Sequence, residues 1–171
     1  MRGSVNQMVH SAVFAALIAV CAQIQIPLPI APVNLALLPV HLAAVLLRPR
    51  ATLASTAAYA LLGLMGLPVF TGMRGGPGVL FGPTGGFILG YCLCSLVTSR
   101  LVRGGRSYPR LCLAMTCGTL CCYAQGTLWF MLLTGTGLLP ALGWCVLPFV
   151  PGDAAKILLG AALAGRMRRL G

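Results

Sequence analysis

Six apolar runs, separated by short clusters of arginine, proline and glycine, set the pattern of this chain. The first covers residues 8–26 and carries Ala12, Ala15, Ala16 and Ala19. Their spacing puts two overlapping small-xxx-small pairs on one side of a helix, where another helix can come close. Pro27, Pro29 and Pro32 predict an extended connection, after which Asn34 can cap a second run that ends at residue 47. At about 1.5 Å per residue this run is shorter than the roughly 30 Å of a bilayer core, so it needs its flanks to span. Arg48-Pro49-Arg50 closes it. A third run, 51–70, ends in Gly66-Leu67-Pro68 and Phe70, and a fourth, 82–98, opens on Gly82-Pro83-Thr84-Gly85-Gly86. A fifth covers 111–134, and the last, 140–165, is interrupted by Pro148 and Pro151. Gly82, Gly86 and Gly90 recur every fourth residue and lay a groove along the fourth helix, open to a neighbouring backbone or to a ligand.

Composition turns this pattern into a class. Of 171 residues, 58% are apolar and 8% charged, which predicts an all-α, polytopic membrane protein with a single domain over 1–171. A net charge of +11 does not point to nucleic acid, because the cations lie between apolar runs and not on a soluble face. They read as topology signals. With six spans and both termini cytoplasmic, the inside holds Arg2, Arg48, Arg50, Arg100, Arg103, Arg106, Arg110, Arg166, Arg168 and Arg169, and only Arg74 lies outside. A five-span arrangement, with the second run re-entrant and the N-terminus outside, moves only Arg2. No cleavable signal sequence is expected, since residues 1–7 are short and polar and no small-residue cleavage site follows.

One stretch stands apart. Asp153 is the only acidic residue and Lys156 the only lysine, and they sit three positions apart in Pro151-Gly152-Asp153-Ala154-Ala155-Lys156. Pro-Gly suits a chain break and a new helix start, and the spacing puts both side chains on one face of that helix. The backbone dipole favours a carboxylate there. An ionisable residue inside a membrane segment is costly and marks a functional site by default; the alternative is a neutralised structural pair. A helix broken at a polar site is also how membrane proteins build ligand pockets. Arg74, in the glycine-rich loop after the third run, falls on the same side, so three polar groups converge on an outward-facing pocket walled by Phe70, Phe87 and Trp129. Other chemistry is thinly represented. The eight cysteines include no Cys-x2-Cys spacing and no nearby histidine, so they read as packing residues, as do His10 and His41, and no metal is expected. No Gly-Lys-Ser/Thr follows a glycine at P-loop spacing, so ATP hydrolysis is not expected of this chain alone.

Several stretches together resemble a known family. Ala15-Ala16-Leu17-Ile18-Ala19, Gln23-Ile24-Gln25-Ile26-Pro27-Leu28-Pro29, Gly63 to Phe70, Gly82-Pro83-Thr84-Gly85-Gly86-Phe87, Gly126-Thr127-Leu128-Trp129 and Pro148 to Lys156 are similar to the BioY family, the biotin-specific substrate-capture (S) components of energy-coupling-factor transporters. One departure is visible: where the family commonly reads Thr-Leu-Gln, this chain has Asn34-Leu35-Ala36. The resemblance implies six membrane helices in a prokaryotic cytoplasmic membrane and an external biotin site. It also implies partners: a transmembrane coupling subunit and two cytoplasmic ATPase subunits, with Ala12, Ala16 and Ala19 as the contact face. Expected ligand contacts are Asp153, Lys156, Arg74, Asn34, Thr84, Gly85, Gly86, Phe87 and Trp129, with no cofactor and no catalytic residue. Three alternatives stand beside this reading: an S component for another vitamin, a membrane-embedded enzyme using Asp153 and Lys156 as acid and base, and a packing subunit with no ligand.

Overall fold

A computed structural model describes residues 2–26 and 33–167; the proline-rich connection expected at 27–32 lies outside the described residues. The described residues form eight α-helices: α1 (Arg2–Gln23), α2 (Leu37–Leu46), α3 (Pro49–Leu64), α4 (Pro77–Leu80), α5 (Gly85–Leu101), α6 (Tyr108–Thr134), α7 (Leu138–Cys145) and α8 (Val150–Arg166). The only strands among the described residues are β1 (Gln25–Ile26) and β2 (Val33–Asn34), an antiparallel pair in which Gln25 faces Asn34. The helices are those of a polytopic membrane protein. α1, α5 with the turn that extends it to Gly104, and α6 are each long and apolar enough to cross a bilayer, and α7 and α8, bent by 51° at their break, are so when taken together.

The two short helices show why membrane length alone misreads this chain. α2 has 10 residues, about 15 Å of helix. It is apolar all round, and nine of its residues are buried, as befits a helix enclosed by others. It is the hub of the bundle: Leu37 and Val40 join Ile18, Tyr59 and Ile88 in one core, while Val45 joins Leu111, Met115 and Ile157 in another. α3 stops at Leu64, six residues before the expected end of the third run. The chain turns at Gly66, whose φ is +95°, and Phe70 folds back so that its ring fills the place a side chain at Gly63 would need. That fold-back carries Phe70 into the core, where it meets Tyr59 edge-on at 5.5 Å.

Of the expected glycine stripe, Gly86 and Gly90 lie on α5 and are met by α6, whereas Gly82 falls before the helix, where a Cβ would meet the Gly78 carbonyl. A Cβ on Gly86 would lie 2.3 Å from Cβ of Trp129, and one on Gly126 would lie 2.4 Å from the Phe87 ring, so each helix offers a glycine where the other presents an aromatic side chain. Close backbone approach of this kind is how membrane helices gain packing energy without a hydrophobic driving force between them. The large side chains left exposed, among them Val9, Val13 and Leu17 on α1 and Leu128 and Leu132 on α6, are apolar and suit a lipid surround.

Apart from the Arg74 loop, the arginine-bearing corners among the described residues fall at one end of the bundle. Gln7 of α1 lines one cavity with Arg48 and Arg50 at the α2–α3 corner and Arg103 after α5. Arg106 donates to the carbonyl of Ala164 near the end of α8 at 2.5 Å. The starts of α2, α5 and α8 and the loop after α3 consequently meet at the other end.

Candidate functional site

That other end holds a cavity of about 140 Å³, open at its mouth. Its floor is the α7–α8 break. Pro148 and Pro151 bracket the bend; Pro151 occupies the first turn of α8, where it has no amide hydrogen to leave unpaired. Asp153 follows in that turn. It is 4% exposed and Lys156 8% exposed, and Lys156 Nζ lies 2.6 Å from Asp153 Oδ1. The other carboxylate oxygen accepts from the hydroxyl of Tyr123, which comes from the middle of α6. Each oxygen has a donor, yet a carboxylate has about four acceptor positions, so Asp153 keeps capacity for donors from a ligand. His41 lies nearby in the buried core and is bonded to Thr119 at 3.0 Å.

The mouth is built by the loop between α3 and α4. Phe70 and Arg74 close a tight turn by exchanging backbone hydrogen bonds of 2.9 and 3.2 Å, with Gly72 and Met73 both at positive φ between them. Arg74 is exposed and lines the cavity. Its loop is held by two side chains, Gln23 and Asn34: Gln23, at the end of α1, donates to the carbonyls of Val69 and Phe70, both at 3.1 Å, and accepts from the amide of Met73 at 2.9 Å. Asn34 ties the opposite rim. Its amide nitrogen donates to Thr71 at 2.7 Å, and its oxygen accepts from the Ala36 amide at 3.0 Å; Asn34 thus organises the entry to α2 three residues before the helix begins but does not cap it, the N-cap being Ala36. The Ala36 methyl is wholly buried.

The walls are aromatic. Phe87 and Phe149 stack with centroids 6.2 Å apart and planes 15° from parallel, and Tyr59, Phe70, Tyr91 and Thr84 complete the lining. The structure thus brings six of the expected contacts, Asp153, Lys156, Arg74, Asn34, Thr84 and Phe87, around one cavity. Gly85, Gly86 and Trp129 lie behind it. Gly85 packs on the carbonyl of Leu80, Gly86 packs on Trp129, and the Trp129 indole donates to the Gly82 carbonyl at 3.0 Å. On α1, Ala12 and Ala16 are exposed and Ala19 is half-buried.

Tyr123, Gln23 and Phe149 were not singled out as contacts from sequence. For Tyr123 the available signal was a hydroxyl in the middle of an apolar span, which must find a partner inside the bundle. Gln23 carried the same kind of signal at the end of one.

An apolar bundle whose single acid, single lysine and isolated arginine face a concave, aromatic-walled cavity is a membrane-embedded receptor for a small molecule with polar groups at both ends. Comparison with known proteins agrees with that class. The chain belongs to the BioY family, whose family model matches residues 1–171. It is 35% identical over 166 residues to the biotin transporter BioY of Thermotoga maritima, covering 96% of this chain and 97% of that protein. It is 38% identical over 151 residues to biotin transporter BioY2 of Lactococcus lactis subsp. cremoris, covering 85% and 80%. The fold matches the crystal structure of the S-component for biotin from an ECF-type ABC transporter with a TM-score of 0.86 at 26% identity, over 95% of this chain and 90% of that one.

Proposed function

We propose that this protein is the biotin-binding S component of an energy-coupling-factor transporter, a multi-pass protein of a prokaryotic cytoplasmic membrane that takes up biotin. The observation that carries the reading is the placement of Asp153 and Lys156 at the buried floor and Arg74 at the exposed mouth of one cavity. Biotin offers a ureido ring with two N–H donors and a carbonyl, an apolar sulfur-containing ring, and a carboxylate tail. Asp153 accepts from a ureido N–H while Lys156 donates to the carbonyl, each through a charge-assisted bond. The stacked Phe87 and Phe149 flank the apolar ring. Arg74 takes the tail with its planar fork of donors. Asn34 and Thr84 complete the rim; Gly85, Gly86 and Trp129 hold the wall from behind.

The topology that fits has six spans, α1, α2, α3, α5, α6 and the broken α7–α8, with both termini cytoplasmic. It puts the arginine-rich end inside, in keeping with the positive-inside rule, and opens the cavity outward. Biotin enters from outside, and the loaded protein presents it inward. The energy comes from a coupling subunit docked on the Ala12, Ala16 and Ala19 side of α1 and from two ATPase subunits.

Thermal unfolding of the purified protein in detergent, with and without biotin, tests this reading, because a ligand that binds the folded state raises the midpoint. The expected result is a rise in the wild type that is absent in Asp153→Asn. No rise in ligand-stripped wild type would overturn the substrate. Arg74→Ala should weaken biotin far more than its carboxyl-amidated analogue; equal weakening would remove the tail from Arg74.

A further inference from the structure

At the arginine-rich end, the cavity between α1, the α2–α3 corner and the end of α5 measures about 540 Å³ and belongs to no part of the biotin site. Arg48, Arg50 and Arg103 line it. The chain has one acidic residue, Asp153, and that is committed to Lys156 at the opposite end of α8, so these three cations have no carboxylate of their own. Gln7 steadies one of them: with its amide turned to accept, its oxygen lies 3.0 Å from Arg48 Nε. Arg50 and Arg103 are exposed and make no side-chain hydrogen bond or ion pair within the described residues.

The same cavity has two further groups suited to an anion. Ser99 lines it, is only 4% exposed, and its hydroxyl has no hydrogen-bond partner among the described residues. α3, 16 residues long, starts here at Pro49 without a side-chain cap, so the amides of Arg50 and Ala51 in its first turn have no acceptor within the helix. A helix start, an unpaired hydroxyl open to the cavity on a buried residue, and two unpartnered guanidinium groups together suit a phosphate.

We propose that this cavity binds the phosphate of an anionic phospholipid from the leaflet at the arginine-rich end. The lipid source is favoured by the neighbouring surface of α1, where Val5, Met8, Val9 and Val13 are exposed beside Gln7 and offer an apolar track for acyl chains. Three arginines without a carboxylate select against a zwitterionic headgroup, whose ammonium they repel. Basic pockets between membrane helices on the cytoplasmic side are suited to such headgroups.

The test is thermal unfolding of the full-length protein in detergent during titration with phosphatidylglycerol, phosphatidylcholine or inorganic phosphate. The expected result is a saturable rise in midpoint with phosphatidylglycerol alone. In R50Q/R103Q the half-saturating concentration should rise roughly thirtyfold, taking each arginine near a membrane surface at its usual worth. Both side chains are exposed and unpartnered, so the lipid-free midpoint should stay at the wild-type value. R100Q/R166Q removes equal charge from the same end but outside the cavity, and should titrate as wild type. The proposal is overturned if phosphatidylcholine matches phosphatidylglycerol, if R50Q/R103Q titrates as wild type, or if the two double variants weaken binding equally. An equal rise with inorganic phosphate would give the cavity to a soluble phosphate compound and overturn the lipid assignment.

Discussion

Asp153 and Lys156 can be separated experimentally into what they do for the fold and what they do for the ligand. Their side chains are 6% and 9% exposed and 2.6 Å apart, so Asp153→Asn leaves a buried ammonium without its counter-charge. Breaking one partner of a buried pair costs about 3–5 kcal/mol. The cavity beside the pair admits water when empty, which favours the lower end of that range. Tyr123 gives little back, since its hydroxyl can still donate to the asparagine oxygen. Lys156→Met should cost a similar amount, because it leaves the carboxylate with Tyr123 as its only donor. The double variant Asp153→Asn/Lys156→Met removes both charges, so its cost should be far less than the sum, with a coupling of about 2 kcal/mol or more.

Reversible unfolding in mixed detergent micelles measures the three free energies, and biotin titration of the same samples measures binding. The expected outcome is a double variant more stable than either single variant that still fails to bind biotin. Two results would refute the reasoning in different places. Single variants that each lose less than about 0.5 kcal/mol and add linearly would show that the pair is not electrostatically coupled in the fold. A double variant that binds biotin as wild type would show that the pair serves the helix junction alone.

Three further outcomes follow from the geometry. Gln23→Ala should release the 69–74 loop and weaken biotin binding in the wild type but not in an Arg74→Ala background; additive losses in the double variant would show that Gln23 does not act by positioning Arg74. Tyr123→Phe removes a hydrogen bond to a charged acceptor, worth about 1.5–3 kcal/mol, so biotin affinity should drop by roughly tenfold or more, and unchanged affinity would mean that the hydroxyl does not organise Asp153. Gly86→Ala forces a methyl into the space beside Trp129 Cβ, and overpacking of that kind costs about 1–3 kcal/mol, so a variant as stable in unfolding titrations as wild type would contradict the close approach of α5 and α6.

What the sequence made legible was local. The broken last helix could be read because Pro148, Pro151 and Gly152 act on the backbone where they stand, and the facing of Asp153 and Lys156 follows from helical spacing alone. The glycine stripe likewise announced a close approach, but it left open what approaches, and α6 takes that place. Trp129 shows the limit: an aromatic residue in an apolar span suggested a wall, yet its position behind Gly86 depends on how α5 and α6 interlock. Gln23 lies further beyond reach, since its partners are 46 to 50 residues away and only the fold-back of Phe70 onto Gly63 brings them near. That fold-back also shortens the third span.

The same dependence makes the site a composite. Its floor belongs to α8 and its mouth to a loop clasped by α1, the helix whose alanine face is proposed to meet the coupling subunit. A shift of α1 against the bundle would therefore act on Arg74 through the four polar contacts of Gln23, of which one returns to α1 itself and three hold the loop. The floor, built from α6 and α8, would be left in place. With biotin bound as proposed, a coupling subunit that moves α1 would loosen the hold on the carboxylate tail before the ureido contacts are disturbed.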